Sequence, residues 1–325
     1  MTWKRFRRAL SGALCCVAWV AAPTVGSAET IQTGMIGAAN AAGWPWYIGI
    51  AKGWFAEAGI RLDLVYVPTA AGLVQQLSAG SLDMVGDVGA VEPIHAVAKG
   101  APVGLIRIIG QVPPYTVVAK LGIGSIKELR GKTICIGGLV DINRVYLRRI
   151  MEANGLRDGD YDITVVGNTA GRFAALKSGT VDATMLAPPV SFFAEDGGFR
   201  NLGLIYDYAH DLPFSATDVS LAYARNHRDA LAKVLAVMDR SVAWFNDASH
   251  RDESIDILMK EMKAKREPIA RSYDFLRKID YFAPSNAVSR AKLTSLMDEM
   301  KALGDLKQDI APETFVLSGL ARLVD

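Results

Sequence analysis

The chain has 325 residues, of which 50% are hydrophobic and 22% are charged, and its formal net charge is +2 at pH 7. Residues 1–28 carry four basic and no acidic residues, so the remainder holds 32 basic and 34 acidic residues, a net charge of −2. The slight basicity therefore belongs to the first segment and does not support a nucleic-acid partner. The roughly 300 remaining residues exceed a typical single hydrophobic core and predict two domains.

The first segment has the order of a secretory signal peptide. A basic start at residues 3–8 precedes an apolar run over residues 10–22, and Gly26-Ser27-Ala28 follows before the polar Glu29. This order predicts export to the periplasm with cleavage after Ala28. The alternative is an uncleaved membrane anchor, although the run is short for a bilayer span. A lipid anchor fits poorly, because Cys15 and Cys16 are not preceded by a box of small residues.

Cysteine and histidine give no sign of a catalytic or metal site. Without residues 1–28 only Cys135 remains, which excludes an intramolecular disulfide and predicts a small core residue within residues 133–136. The four histidines are scattered, and none is paired at metal-ligand spacing. No nucleophile elbow, phosphate loop or dinucleotide fingerprint is present. We therefore expect no cofactor, no metal and no enzymatic activity.

Strand and helix patterns alternate along most of the chain. The first round runs from a strand at residues 33–36, through the alternating apolar residues of 60–66, to the apolar run 103–109, with helices between. A second round spans residues 116–186, and from His227 onward the pattern is almost wholly helical. The chain is thus predicted to be α/β, with two similar halves, each a mostly parallel sheet flanked by helices, and a helical C-terminal tail.

Four segments resemble the periplasmic solute-binding proteins of ABC importers, in particular the group that binds nitrate, alkanesulfonates and taurine. This group also includes binders of thiamine pyrimidine precursors and of some aromatic acids. The matching motifs follow one another in the family's order: Lys52-Gly53-Trp54-Phe55, Leu77-Ser78-Ala79-Gly80-Ser81-Leu82-Asp83, residues 125–132, and Gly179-Thr180-Val181-Asp182-Ala183.

The resemblance implies a two-lobed periplasmic-binding fold of type II with a two-strand hinge. Lobe I would comprise residues 29–113 and 225–325, and lobe II residues 114–224. A small solute would be captured between the lobes and delivered to a permease and ATPase complex at the inner membrane, with the binding protein acting as a monomer. The same scaffold could instead serve as a sensor module for a membrane kinase.

Ligands of open α/β sheets collect at the carboxyl ends of strands, where helix N-termini favour anions. In lobe I the first such loop contains Asn40, Gly43, Trp44 and Trp46, and either Trp is expected to form a flat wall of the site or to pack in the core. The second loop contains Asp87, Val88 and Gly89, with Asp87 more readily explained as a helix N-cap than as a ligand contact. Gln111 and Tyr115 lie on the first hinge crossing.

In lobe II two loops are candidates. One holds Val140, Asp141, Asn143 and Arg144, where an Arg near a helix start gains nothing from the helix dipole. The other holds Thr169, a good N-cap, and Arg172. Each Arg is expected to be either a ligand contact or an ordinary exposed residue, and we favour the Asp141–Arg144 loop.

The last candidate, Pro188, follows the final parallel strand of lobe II. Members of the resembling group that bind amines often carry an acid at the position matching Pro188. Its absence here favours a small organic anion, a sulfonate or carboxylate with or without an aromatic ring, over taurine or an aminopyrimidine. A thiamine pyrimidine precursor remains the alternative.

Overall fold

The computed structural model describes residues 28–38 and 40–325. The expected signal peptide, except for Ala28, and Ala39 of the first loop lie outside these residues. Within the described part of the chain, no helix has the length and hydrophobicity needed to span a membrane.

Twelve strands and thirteen α-helices are found in the described residues. The strands are β1 (Glu29–Ile36), β2 (Ile60–Val67), β3 (Met84–Gly89), β4 (Val103–Gly110), β5 (Thr116–Ala119), β6 (Thr133–Ile136), β7 (Asp162–Val165), β8 (Ala183–Leu186), β9 (Arg200–Leu204), β10 (Ser215–Ser220), β11 (Ala287–Ser289) and β12 (Arg322–Val324). The helices are α1 (Trp44–Ala51), α2 (Trp54–Glu57), α3 (Ala70–Ser78), α4 (Val91–Ala98), α5 (Ile142–Ala153), α6 (Thr169–Lys177), α7 (Val190–Asp196), α8 (Tyr206–Ala209), α9 (Leu221–Asn226), α10 (Arg228–Asn246), α11 (Arg251–Met262), α12 (Arg266–Lys278) and α13 (Arg290–Ala302).

Two five-stranded sheets define the two lobes. The sheet of lobe I has the order β2-β1-β3-β10-β4, and that of lobe II has the order β7-β6-β8-β5-β9. In each sheet one strand, β10 or β5, runs antiparallel to its neighbours, and the other strands run in one direction. The prediction of two mostly parallel sheets flanked by helices is confirmed.

Strand β10 belongs to lobe I although it comes late in the chain. It pairs antiparallel with both β3 and β4, so the lobe boundary expected at residue 224 has to be moved to before Ser215. The sequence pattern did not predict this strand, because four of the six residues in Ser215-Ala216-Thr217-Asp218-Val219-Ser220 are polar. All six are nevertheless buried. The short parallel pair β11 and β12 is a second element that the helical pattern of the tail did not predict.

The tail helices close the core of lobe I. Helix α1 packs between α10 and α11, and Trp44 of α1 meets Phe245 and Tyr273 edge-on at ring distances of 5.2 and 5.8 Å. In lobe II, Cys135 lies fully buried in β6, as its pattern predicted. The two chain crossings between the lobes follow β4 and precede β10, and they place Tyr115 and Phe214 side by side.

Candidate functional site

A cavity of about 380 Å³ lies between the two lobes. Its walls come from the loops that follow β1, β3, β6, β7 and β8, which is the carboxyl-end location expected for an α/β ligand site. The lining is mostly apolar, with a few polar groups, a composition typical of small-molecule sites. The charged side chains among the lining residues are Asp87, Glu92, Asp141 and Arg172.

The lobes are closed over this cavity, because their backbones meet closely at glycine positions. A Cβ placed on Gly167 of lobe II would lie 2.7 Å from Thr69 Cγ2 and 3.0 Å from the Pro68 carbonyl oxygen of lobe I. A Cβ on Gly89 of lobe I would lie 2.8 Å from Ile142 Cγ2 of lobe II. Only residues without a side chain permit such an approach, so these glycines allow full closure.

Ion pairs outside the cavity also join lobe II to the tail helices. Arg271 of α12 contacts Glu195 and Asp196 of α7, and Arg148 of α5 donates to Glu299 of α13 at 2.6 Å. These pairs lie on different helices of lobe II. They are further contacts of the closed arrangement, made by partly exposed side chains outside the cavity lining.

Arg172 is the basic residue of the cavity wall. It projects from the first turn of α6 and is only 2% exposed. Its guanidinium donates to the carbonyl oxygens of Met185 and Gly167 at 3.1 and 3.0 Å and to Thr169 Oγ1 at 3.1 Å. It also lies 5.8 Å from the ring of Tyr115. A guanidinium has five N–H donors, so two remain for a ligand after these three contacts.

Asp87 lines the same cavity from lobe I, and one of its oxygens has no partner among the described residues. It sits within β3, is 2% exposed, and its Oδ1 has no hydrogen-bond partner. Burial raises the pKa of this carboxyl to about 6, because the charged form loses its hydration. A buried carboxyl aimed into a cavity with an unused oxygen is well placed to accept an N–H from a solute.

Glu92 and Asp141 are two further buried acids, one from each lobe. Glu92 lies in the first turn of α4, and Asp141 is the N-cap of α5, where it accepts the backbone N–H of Asn143 at 2.6 Å. Burial raises the pKa of both carboxyls, and the nearby charge of Asp141 raises that of Glu92 further. Asn143 presents a buried Oδ1 without a partner in the same wall.

Ten of the residues expected at the site line the cavity. They are Asn40, Asp87, Val88, Gly89, Tyr115, Asp141, Asn143, Thr169, Arg172 and Pro188. The other six expected residues do not line it, and four of them have clear structural roles elsewhere.

Trp44 and Trp46 are core residues, and the expectation that either forms a wall of the site is wrong. Both are fully buried, and their indole N–H groups donate to the carbonyl oxygens of Ser254 and Gly86 at 2.8 and 3.2 Å. Trp46 also stacks on Phe55. Helix α1 is apolar on almost its whole surface, and Trp44 to Gly49 are all buried. The helix is therefore enclosed by the core, and both rings pack there.

Arg144 is likewise not a cavity residue, although Asp141 and Asn143 of the favoured loop do line the cavity, as does Arg172 of the other loop. The Arg144 guanidinium binds both carboxylate oxygens of Asp158, one of them at 3.1 Å, on the outer side of α5. Gln111 donates to the Asp280 carbonyl oxygen behind the hinge. Gly43 is buried beside Tyr47, and Val140 lies on a separate surface groove next to α3 and α4.

Two helices begin at other N-cap residues than the sequence predicted. Asp87 is not the N-cap of α4, since β3 extends through Gly89 and Ala90 takes the cap position without a side-chain bond. Thr169 is the first residue of α6, and the cap is Asn168, whose Oδ1 accepts the Gly171 N–H at 2.8 Å. The two side chains that were assigned to capping are therefore available to the cavity.

Glu92 is a cavity-lining residue that sequence reasoning missed. An acidic side chain in the first turn of the helix that follows strand β3 was the signal that could have revealed it. Asn168 and the rings of Phe173, Phe193 and Phe214 also line the cavity without having been expected there. Among the described residues, no three His, Cys, Asp or Glu side chains are grouped to hold a metal.

Comparison with known proteins identifies related sequences and folds. The profile of the family described as "NMT1/THI5 like" matches residues 40–248, which is more than half of the chain. No curated protein matches the chain.

Many solved structures share the fold. The alkanesulfonate-binding protein SsuA from Xanthomonas axonopodis pv. citri, bound to MOPS, superposes with a TM-score of 0.72 at 18% identity, over 91% of this chain and 99% of that one. The periplasmic nitrate-binding protein NrtA from Synechocystis PCC 6803 gives 0.66 at 17% identity, over 75% and 70% of the two chains. The desulfurization enzyme DSZB gives 0.66 at 15% identity, over 90% and 97%.

Proposed function

Because the chain belongs to the NMT1/THI5-like family, we propose that it is the substrate-binding component of an ABC import system. After export through its signal peptide, it would capture a small organic solute between the two lobes in the periplasm. It would then deliver the solute, as a monomer and without a cofactor, to a permease and ATPase complex. The closed cavity between lobes of this fold supports the proposal.

The charge of the cavity wall is the observation that supports one class of solute over another. Arg172 offers two free donors to an anionic or acceptor group, but three buried carboxyls, Asp87, Glu92 and Asp141, face the same space. A simple anion such as nitrate or an alkanesulfonate would bring its charge close to these acids. A solute that carries N–H donors as well as an acceptor or acid group satisfies both sides.

This proposal differs from the sequence-based expectation, in which the lack of an acid at Pro188 favoured a solute without an amino group. The missing acid at that position argued against an amine-bearing solute, and the acids instead come from β3, α4 and the N-cap of α5. Rings of Tyr115, Phe214 and the phenylalanines of α6 and α7 supply flat apolar walls. An aminopyrimidine of the thiamine-precursor type is therefore a second candidate, since it combines a ring with an amino group.

Thermal unfolding with matched pairs of compounds tests the proposal. Each pair shares its shape and differs by one amino group, for example taurine with ethanesulfonate and 4-amino-2-methylpyrimidine with 2,4-dimethylpyrimidine, and nitrate and benzoate complete the panel. We expect an amine-bearing member to raise the unfolding midpoint, since about 2.7 kcal/mol is gained at a hundredfold excess over Kd. Stabilisation by nitrate or ethanesulfonate alone would contradict the solute class.

The same samples separate a binding protein from an enzyme on this fold. The solute that stabilises the protein should be recovered unchanged after prolonged incubation, as followed by chromatography. Steady turnover of the compound would overturn the binding-protein proposal. Loss of uptake of the labelled solute by cells without the gene would favour import over a sensor.

A further inference from the structure

Glu92 and Asp141 face each other across the boundary between the lobes. Each is only 7% exposed, Glu92 on α4 of lobe I and Asp141 at the start of α5 of lobe II. Asp141 uses one oxygen to accept the Asn143 N–H, whereas Glu92 Oε2 has no hydrogen-bond partner. Neither carboxyl forms an ion pair with any of the described residues.

The two side chains meet at the point where the lobes touch. A Cβ placed on Gly89 would lie 3.1 Å from Glu92 Oε2 and 2.8 Å from Cγ2 of Ile142, the residue that follows Asp141. Both carboxyl groups line the cavity beside Gly89, near enough for one to donate a hydrogen bond to the other when it is protonated. Carboxylate oxygens only accept, so this contact requires a proton on one of them.

The surroundings favour one proton on the pair. Asp218 of β10 and Asp87 of β3 add negative charge, and Arg172 of α6 is the nearby cation on the Asp141 side. Tyr115 and Tyr146 are the other titratable groups that face Asp141. Helix α3, which packs against α4, contains no charged residue, and Arg107 of β4 is occupied by Asp239 and the Ala283 carbonyl. His95 of α4 and Lys99 at its end line a surface groove together with Glu92.

We propose that Glu92 and Asp141 form a proton-binding site shared by the two lobes, and that one proton bound there holds the solute-free cleft closed. Two buried carboxylates in contact repel each other strongly, whereas a carboxylic acid donates a short, strong hydrogen bond to a carboxylate. Opening of the lobes separates the pair, exposes both groups to water and lets both ionise.

The sign of the pH dependence follows from this difference. In the closed form the pKa of Glu92 is raised by burial and by Asp141, and in the open form it returns toward the ordinary value of 4.5. Between these two pKa values, closing takes up a proton. Closure is therefore favoured at low pH and opposed as the pH rises through the raised pKa of Glu92.

Small-angle scattering of the solute-free protein, expressed from the full chain, tests the site without any ligand. We expect the radius of gyration to increase from pH 5 to pH 9 in the wild type and to stay small and constant in Glu92→Gln, because the amide donates to Asp141 at every pH. Infrared spectra should show a protonated carboxyl band that Glu92→Gln removes. Glu261→Gln, an exposed change on α11, is the control and should behave like the wild type.

Asp141→Asn provides a second variant in case Glu92→Gln does not fold, since it keeps a capping side chain and also supplies a donor. It too should remove the pH dependence. A radius of gyration that is constant with pH in the wild type, or a pH dependence that persists in the folded variants, would overturn the shared-proton site. Because no solute takes part, such a result would leave the proposed transport function intact.

Discussion

Arg172 and Arg144 are side chains of the same type whose different contacts give them different roles. Arg144 binds both oxygens of Asp158, and its side chain is 15% exposed on the outside of lobe II. Arg172 is buried in the cavity wall, forms no ion pair with a described residue, and donates to two carbonyl oxygens, with the charge of Asp141 nearby. A buried cation with that set of partners is suited to an acceptor group supplied by a solute.

Replacement of Arg172 should reduce solute binding, and replacement of Arg144 should not. For the compound that stabilises the wild type, we expect Arg172→Ala to cost about 1.5–3 kcal/mol of binding, the value of a charge-assisted hydrogen bond. Lys at this position should recover only part of the loss, because one ammonium replaces a planar fork. Isothermal titration calorimetry measures both effects.

Arg144→Ala is the matched control for this experiment. It removes a surface ion pair worth about 0.2–1 kcal/mol of folding stability and should leave the affinity unchanged. Equal loss of affinity in both variants, or none in Arg172→Ala, would show that Arg172 does not hold the solute.

At the level of elements, closure depends on how closely the loop after β7 approaches the start of α3. Thr69 caps α3 by accepting the Gly72 N–H at 3.1 Å, which fixes the Thr69 methyl group against Gly167. The Pro68 carbonyl oxygen is backbone and cannot move aside as a flexible side chain would. The two loops therefore form a contact that tolerates no added carbon.

Gly167→Ala should hinder closure without disturbing either lobe. The added Cβ would lie 2.7 Å from Thr69 Cγ2 in the closed form, whereas the open form separates these loops. We expect about tenfold weaker solute binding, in keeping with the cost of overpacking, and a larger radius of gyration with saturating solute. Without solute, the unfolding midpoint should be unchanged at pH 9, where the cleft is open. Calorimetry, scattering and thermal unfolding provide the three measurements.

Gly124→Ala serves as the control, because its added Cβ would meet only Glu128 Oε1 at 3.4 Å, an ordinary contact. Wild-type affinity in Gly167→Ala would mean that the loops separate more easily than their contacts indicate, and the closure argument would then fail.

For the molecule as a whole, buried acids set the direction of the pH dependence of stability. Burial raises the pKa of Asp218 to about 7 and that of Asp87 to about 6, so the folded protein holds protons that the unfolded chain releases. Stability from these groups is full near pH 4 and falls as the pH rises to about 7. Asp182, whose pKa is lowered by the Thr133 N–H, acts in the opposite direction only at more acidic pH.

Asp218→Asn should flatten this dependence. Its Oδ2 has no hydrogen-bond partner, so a neutral amide of the same shape removes the cost of burying a charge above pH 7. We expect the variant to have a higher free energy of unfolding than the wild type at pH 8 and a similar value at pH 5, as measured by urea unfolding. Asp162→Asn, an exposed change at the start of β7, should match the wild type at both pH values, and a destabilised Asp218→Asn at pH 8 would contradict the argument.

Local sequence patterns were sufficient to predict most strands and helices and the region of the candidate site. The period-2 and period-3.6 patterns predicted most strands and helices, since each records which face of a local segment is buried. The order of strands and helices also predicted loops at the carboxyl ends of two sheets, and ten of the sixteen expected residues line the cavity there. These features depend on residues that are close together in the chain.

Which side chains of those loops face the cavity depends on contacts between segments that are distant in the chain. Arg144 points outward because it pairs with Asp158, and Trp44 lies in the core because it donates to Ser254 and packs against the tail helices. Strand β10 follows lobe II in the chain but pairs with β3 and β4 of lobe I. Glu92 and Asp141 are 49 positions apart, and only closure of the lobes makes them neighbours. Each of these outcomes depends on a partner distant in the chain, whose position no local pattern records.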